Sequence, residues 1–409
     1  MASDVEVWID WRGLRRVGLF RRSPGSGRER VAFTYDPAWL DDGNAFPLTP
    51  DLPLGRGGYT PPAGQDMIPA LGDSAPDRWG RNVMIRLEGR KARAEGRKER
   101  GFHETDFLLG VNDETRLGAM RFKVGEVFQS PEGIGVPVMV NLGKLLAAAQ
   151  RVLRGEETYE DLQMLFAPGS SLGGARPKAS VRDNNGLMSI AKFPKDDDHY
   201  SVERWEAIAL EMAGEAGIRT ASHELHHVED KIVFLSHRFD RDKHGGRIPF
   251  VSALAMLNGR DGEQYSYIDL ADIIASESVN PESDWQELFR RVVFSILIKN
   301  ADDHMRNHGF LRTAGGWRLS PAYDINPEPN SFILRSYVSE DNADASIELL
   351  RDSAEDYMVE RSRADEIIAE VASVTCRWRE YAQRFQTPAS EIDRMAGSFE
   401  HEELERALT

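Results

Sequence analysis

Cysteine is nearly missing from this 409-residue chain. Cys376 stands alone, which excludes a disulfide framework and any zinc site built from thiolates. Long apolar runs are missing too: the longest strongly apolar stretch, VVFSILI at 292–298, falls far short of the roughly 20 residues that span a bilayer. The first residues, MASDVEVWID, hold neither a cationic n-region nor an apolar h-region, so the expectation is a cytoplasmic protein with no membrane partner. Positive charge is in deficit. Lys and Arg number 51 against 67 Asp and Glu, a net charge of −16, which argues against the whole surface wrapping nucleic acid and leaves room only for a local basic face. Internal repeats and low-complexity tracts are absent. What is there is 41% hydrophobic, ample for a real core over two or three domain-sized regions.

The pattern divides the chain into residues 1–125, 126–245 and 246–409. In the first region three alternating segments, VEVWID, LRRVGLF and RERVAFTY, are separated by Gly, Pro and Ser, which predicts a small antiparallel meander. Beyond the Gly/Pro-rich stretch TPDLPLGRGGYTPP at 49–62, Ser74 is placed to cap a helix with Pro76 in its first turn. The cationic stretch at 78–100, RWGRNVMIRLEGRKARAEGRKER, follows. With Glu88, Glu95 and Glu99 interleaved and no aromatic or base-reading motif beside it, this reads as a solvated helix face rather than a nucleic-acid surface. The second region alternates strand-like runs (LMSIAKF, KIVFLSHRF) with one amphipathic helix, VERWEAIALEMAGEAGI at 202–218. The third is mostly helical, from DWQELFRRVVFSILIKN at 284–300 to the charged amphipathic segments after Asp344. The fold class is α+β, with a β-rich first half and a helical end.

One motif invites a wrong turn. His223-Glu224-Leu225-His226-His227 matches HExxH, in which a helix brings two histidines onto one metal. Here Gly217 closes the preceding helix, and the stretch runs into a hairpin turning at Glu229-Asp230-Lys231. On a strand His223 and His227 stand about 13 Å apart, four residues at ~3.3 Å each, too far to share one ion. Solvated strand histidines are the better account.

A stronger signal is ILIKNADDHMRNHG at 296–309, where an apolar helix runs straight into groups that are expensive to bury without partners. Asp302 and Asn307 are five residues apart, the spacing of a kinase catalytic loop, in which the Asp accepts the hydroxyl proton and the Asn holds a metal ion. A second metal-binding Asp is required from an adjacent segment. GFLRT and WRLSP, either side of Ala314-Gly315-Gly316, supply a hairpin, and Asp324 lands just behind it. D-x-x-x-x-N is weak alone; with the hairpin and Asp324 the combination is far more specific. Upstream, PGSSLGGARPKAS at 168–180 is rich in small residues, so its amides can approach an anion closely, although it is no Walker A loop. Lys192 ends the run LMSIAKF, where a strand aims it under that loop, and Glu206 in the following helix is its natural partner. Without the lysine, that Glu would be read as an ordinary solvated helix position.

In this order and spacing the motifs resemble the HipA-type serine/threonine kinases, the toxin components of bacterial toxin–antitoxin pairs. The resemblance covers nearly the whole chain. DSAPDRWGR at 73–81 and LGAMRF at 117–122 are similar to the family's accessory subdomain, SLGGARPKAS to its phosphate loop, IAKFP to its lysine strand, HRFDR at 237–241 to its hinge, NADDHMRNHGF to its catalytic loop and SPAYDINP to its metal-binding segment. It implies a protein-kinase-like (HipA-like) fold: 1–125 an N-terminal accessory subdomain, 126–245 an N-lobe-like region with phosphate loop and hinge, and 246–409 a helical C-lobe. It implies Asp302 as catalytic base with His304 beside it, and Asn307 and Asp324 as Mg²⁺ ligands. ATP would be held by Ser171, Gly173, Gly174, Ala175 and Lys178 of the loop, by Lys192 with Glu206, and by backbone around Arg238 and Phe239. Ser171 matches the serine that is autophosphorylated in this family; a phosphate there would bring about −1.5 to −2 charges into the loop that must receive ATP. Two positions depart from the pattern: His237 stands where relatives often have Glu, and Pro177 removes one amide donor from the loop.

The resemblance further implies an aminoacyl-tRNA synthetase as protein substrate and a HipB-type DNA-binding antitoxin as partner, with operator DNA reached mainly through the antitoxin. A small-molecule or lipid phosphotransferase would use the same residues. A weakly active scaffold holding an antitoxin on DNA is the alternative from a different class, and the full set Lys192, Asp302, Asn307 and Asp324 speaks against it.

Overall fold

A computed structural model describes residues 3–24, 28–130, 141–166, 176–183, 186–331 and 333–409. The chain forms two units, and it passes between them more than once: the first comprises residues through Asp196, His227–Val251 and Asn258–Arg260, the second Asp197–His226, Ser252–Leu257 and Asp261–Thr409. The fold is mixed, with antiparallel sheets in the first unit and mostly helices in the second.

Strict alternation builds the first sheet. In Ser3–Asp10 the residues Val5, Val7 and Ile9 are buried while Glu6 and Trp8 are less so, the period-2 signature of a strand with one face on a core. The predicted meander of Ser3–Asp10, Leu14–Pro24 and Glu29–Tyr35 is present, widened by Gly58–Tyr59 beyond Glu29–Tyr35 and by Met120–Val124 and Val127–Phe128 beyond Ser3–Asp10. Gly18 is where two strands come closest: a Cβ there would meet the Thr34 carbonyl and lie 2.5 Å from the Phe33 ring.

The cationic helix spans Arg78–Ala94, and its cap differs from expectation. Asp77, not Ser74, accepts from the Gly80 amide at 2.7 Å, and Pro76 lies outside the helix. A carboxylate reaches the amide three residues on and matches the positive end of the helix dipole, so it out-competes a hydroxyl set further back. The arginines of the stretch face carboxylates within their own unit: Arg81 bonds Glu104, Arg86 and Arg90 meet Glu157, and Arg97 bonds Glu88.

A second sheet runs Lys178–Arg182, Met188–Lys192, Lys231–His237, His223–Val228. The HExxH sequence is thus a strand, as its hairpin context predicts, with His226 Nε2 2.9 Å from its neighbour Glu224. Between 126 and 245 there are also two helices, Leu142–Arg154 and Tyr159–Phe166, where only the one at Val202–Glu215 was expected. In the first of them Leu142, Leu145, Leu146, Ala149 and Val152 recur at helical spacing, a signal the sequence carried and the expectation passed over. Leu145, Ala149 and Val152 with Leu162 and Leu165 pack on Val83 of the cationic helix and on Ala179, Val181, Ala191, Val233 and Leu235 of the sheet, forming that unit's second core.

The second unit is organised around the helix Pro281–Ile298, every residue of which from Leu288 onward is buried. Arg361–Thr375 packs along it, and Trp205 of Val202–Glu215 meets Trp378, which stacks on Phe399 with ring centroids 4.7 Å apart. Among the described residues no helix is long and apolar enough to cross a membrane.

Candidate active site

The catalytic-loop segment hangs from the end of Pro281–Ile298. Lys299 terminates that helix in a left-handed conformation (φ 53°), which redirects the chain without a glycine, and its Nζ donates to the Gly397 carbonyl at 2.7 Å. The loop from Asn300 to His308 then folds on itself: the Asn307 amide donates to the His304 carbonyl at 2.7 Å and Asn307 Nδ2 to the Asp302 carbonyl at 3.3 Å.

Two adjacent aspartates receive opposite environments. Asp302 is 81% exposed at its side chain, with Oδ1 2.8 Å from Arg335 Nη1. Asp303 is buried: its carboxylate accepts from the Tyr267 hydroxyl at 2.8 Å and the Ser295 hydroxyl at 3.2 Å, and lies 3.1 Å from His308 Nε2. Burial by itself raises the Asp303 pKa, but the charge and hydrogen bonding of His308 and the Tyr267 hydroxyl outweigh it and hold the carboxyl below its ordinary range. The Tyr267 hydroxyl is driven the other way, by burial and by that neighbouring charge. Asp302 is therefore the aspartate free to meet a solute, and Asp303 the one that fixes the loop. The doublet was visible in sequence, but nothing in it told which member faces inward.

Asp324 comes to this loop as the sequence predicts. Gly309–Arg312 and Trp317–Leu319 pair as an antiparallel hairpin, Phe310 opposite Leu319, and the chain beyond it returns so that the Tyr323 hydroxyl donates to the Arg306 carbonyl at 2.6 Å. Asp324 itself sits at φ 59°, a region that non-glycine residues occupy sparingly and often at functional sites. Asn326 braces it, with Nδ2 3.4 Å from Asp324 Oδ1 and its backbone amide 3.0 Å from Asn300 Oδ1.

Among the described residues Asn307 Oδ1 is buried with no hydrogen-bond partner, as are His304 Nδ1 and Asn326 Oδ1. Leaving such an acceptor dry costs about 1–3 kcal/mol, which a hard cation on the amide oxygen would remove. The Asn307 amide oxygen is thus a donor suited to a hard cation such as magnesium, and Asp324 and Asn326, the latter passed over in the sequence, carry the oxygens that would join it.

In the first unit Lys192 ends Met188–Lys192, opposite Lys178 on one neighbour and Phe234 on the other, with Nζ 5.6 Å from the Phe234 ring centroid. Lys178 is placed differently from a ligand-facing residue: it is 4% exposed, and its Nζ lies 3.0 Å from Oδ2 of Asp77, the helix cap. Ser171, Gly173, Gly174 and Ala175 lie outside the described residues. Arg238 donates its backbone amide to the Met188 carbonyl at 3.0 Å, so that amide is already used, and Phe239 packs on Phe250. His237, where the resemblance leads one to expect Glu, has its Nδ1 2.8 Å from Ser189 Oγ. Glu206, in the second unit, is 3% exposed and so is no ordinary solvated glutamate.

The segment HRFDR carries a polar network that sequence reasoning missed. Arg238 forms a bidentate pair with Asp240 and donates to the carbonyls of Thr115 and Arg116, Arg241 donates to the Arg116 carbonyl at 2.8 Å, and Asp240 accepts from the Gly118 amide at 2.6 Å. Asp240 is fully enclosed, which raises its pKa, yet the two guanidiniums bring it down to about 2. The network fastens 238–241 to LGAMRF, two stretches more than a hundred residues apart in sequence.

The "HipA-like C-terminal domain" matches residues 170–378 and the "HipA N-terminal domain" residues 5–105. A "Putative kinase" of Haemophilus influenzae is 28% identical over 192 residues, 40% of this chain, and the chain spans about half of that relative, 55% of its length. The "Serine/threonine-protein kinase toxin HipA" of Shewanella oneidensis is 22% identical over 335 residues, 73% of this chain and 70% of that one. In structure, the HipA, HipB and operator DNA complex of Shewanella oneidensis contains a chain of the same fold, TM-score 0.65 at 18% identity, covering 99% of this chain and 96% of the other. With residues 170–378, just over half of the chain, matched by one of that family's domains and residues 5–105 by the other, the chain belongs to the HipA family.

Proposed function

We propose that this protein is an ATP-dependent protein serine/threonine kinase that acts as the toxin of a toxin–antitoxin pair. The observation that carries the proposal is the division of labour in one short loop: Asp302 open to solvent, Asn307 offering a buried amide oxygen without a partner, and Asp324 tied to the same loop through Tyr323. A structural loop has no use for that combination, whereas phosphoryl transfer needs all three. The name of the Shewanella relative supports the toxin assignment.

In this reading Asp302 accepts the proton of a Ser or Thr hydroxyl as its oxygen attacks the γ-phosphorus of ATP. Lys192 binds the phosphates, and Asn307 and Asp324 would hold magnesium, which when bound supplies neutralisation of phosphate charge. Catalysis rests mainly on positioning and electrostatics. Autophosphorylation at Ser171 is part of the proposal, as an off switch that fills the phosphate loop with charge. So are a HipB-type antitoxin as partner, operator DNA reached mainly through it, and a translation component such as an aminoacyl-tRNA synthetase as substrate. The ion pairing of Arg81, Arg86, Arg90 and Arg97 favours a solvated face over direct DNA contact for the basic stretch.

Intact mass before and after incubation with Mg-ATP, for the native chain and Asp302→Asn, tests the core of the reading, with peptide mapping of any gain. The native chain should gain one phosphoryl group at Ser171 and Asp302→Asn should gain none, a loss of about two to four orders of magnitude in rate. If neither form gains mass although both bind ATP, self-modification is wrong and the scaffold reading takes its place.

A further inference from the structure

Among the described residues Asp302 has one side-chain partner, the Arg335 guanidinium at 2.8 Å. With Asp302 81% and Arg335 50% exposed at their side chains, such a pair would ordinarily contribute little and come apart readily. Here the backbone beneath it is fastened. The Arg335 amide donates to the Ala301 carbonyl at 2.9 Å, Ser336 Oγ donates to the Asp303 carbonyl at 2.7 Å, and Gln264 Nε2 donates to the Arg335 carbonyl. One residue on, the Tyr337 amide donates to the Tyr265 carbonyl at 2.9 Å, and its carbonyl accepts from the Tyr267 amide at 3.0 Å. Residues 335 and 336 are therefore strapped along the loop, Arg335 meeting 301 and 302 and Ser336 meeting 303, while Tyr337 is tied to 265 and 267. Much of the ordering entropy that a surface ion pair must overcome has already been lost in these backbone bonds.

We infer that Arg335 is a positioning residue for the phosphoryl transfer assigned to Asp302: it holds Oδ1 of the carboxylate and leaves Oδ2 as the oxygen that takes the acceptor's proton. This rests on the kinase reading above. An untethered aspartate carboxylate rotates broadly about χ2 and offers either oxygen in many orientations. Held at Oδ1, it offers one. The chemistry balances without further participants: the acceptor oxygen bonds to the γ-phosphorus, the bond from that phosphorus to the bridging oxygen breaks to leave ADP, and the hydroxyl proton passes to Oδ2. Arg335 exchanges no proton and touches no reacting atom.

The test uses the full chain with radiolabelled Mg-ATP and a degenerate Ser/Thr peptide library as acceptor. It compares the native protein with Arg335→Ala, Arg335→Lys, Asp302→Asn and the Asp302→Asn/Arg335→Ala double variant. Arg335→Ala should lower kcat by about ten- to a hundredfold, the usual cost of a misplaced reacting group, while KM for ATP stays within about twofold. Arg335→Lys should fall between, and added ethylguanidine should restore part of the Arg335→Ala loss. Because residues that act as a unit are not additive, Arg335→Ala should cost nothing further once Asp302 is Asn. An unaltered kcat in Arg335→Ala overturns the inference, and so does the same factor lost in both backgrounds, which would mark a merely structural role. A native chain that labels neither the library nor itself overturns the kinase reading and this inference with it; an active native chain beside an unaffected Arg335→Ala overturns the inference alone.

Discussion

Replacing Asp303 with alanine should cost the second unit more than any change at Asp302 beside it. The carboxylate is 4% exposed and receives the Tyr267 and Ser295 hydroxyls, with His308 Nε2 at 3.1 Å. Truncation strands those groups in a dry site. Each buried orphan costs about 1–3 kcal/mol, and breaking a buried charge network typically costs about 3–5 kcal/mol in all, because neighbours relax. Against a whole-domain stability of roughly 5–15 kcal/mol that is a large fraction. Asp303→Asn keeps one acceptor for the hydroxyls and can place its amide toward His308, so about 1–2 kcal/mol is expected. Thermal and urea melts of the two variants, followed through the tryptophans, measure both. The pH dependence carries a sign. Asp303 has a folded-state pKa below the ordinary 3.8, so its contribution is complete above that value and is lost as the pH falls through the folded pKa. The melting difference between native protein and Asp303→Asn should therefore be flat near neutrality and shrink below about pH 4. An Asp303→Ala protein melting with the native one, or a difference that grows on acidification, would refute the reasoning.

Three further outcomes are expected. Asn307→Ala should weaken Mn²⁺ binding, read by electron paramagnetic resonance titration, by about tenfold or more while leaving the melt nearly unchanged, since it removes a buried acceptor that has no protein partner. Lys178→Met should destabilise the first unit by about 3–5 kcal/mol, because the buried Asp77 carboxylate loses its lysine partner; an unchanged melt would show that the ion pair is not what Lys178 is for. Gly18→Ala should cost about 1–3 kcal/mol through overpacking on Phe33, measured by the shift in denaturant midpoint, whereas a neutral result would mean that the strands can separate locally.

Local patterns carried the reading of sequence furthest. Alternation gave the meander, Gly217 ended its helix, and the apolar run to Ile298 followed by Asp302, Asn307 and a Gly-Gly hairpin located the loop and the segment behind it. What escaped was set by distance along the chain. Asp77 is a helix cap partnered by a lysine a hundred and one residues away, and Arg238, Asp240 and Arg241 take their meaning from carbonyls at 115 and 116 and the amide at 118. The helix Leu142–Arg154 was legible and passed over: Leu142, Leu145, Leu146, Ala149 and Val152 recur at helical spacing among Lys144, Gln150 and Arg151. Arg335 shows the limit most plainly, since nothing in LRSY announces that its arginine faces the aspartate 33 residues earlier.

The chain's repeated passage between its two units sets an order of events during synthesis. The first unit includes Asn258–Arg260, whose carbonyls at 258 and 259 receive the Gln65 side chain, so it cannot close until the ribosome has passed residue 260. At about 5–20 residues per second the 195 residues after Gln65, through Arg260, take roughly 10–40 s of translation, during which Gln65 waits for acceptors that do not yet exist. The loop bearing Asp302 emerges only after this point. A nascent chain therefore has every residue of its first unit before it possesses Asp302, so the first unit can close while the residues proposed to do chemistry are still to be made.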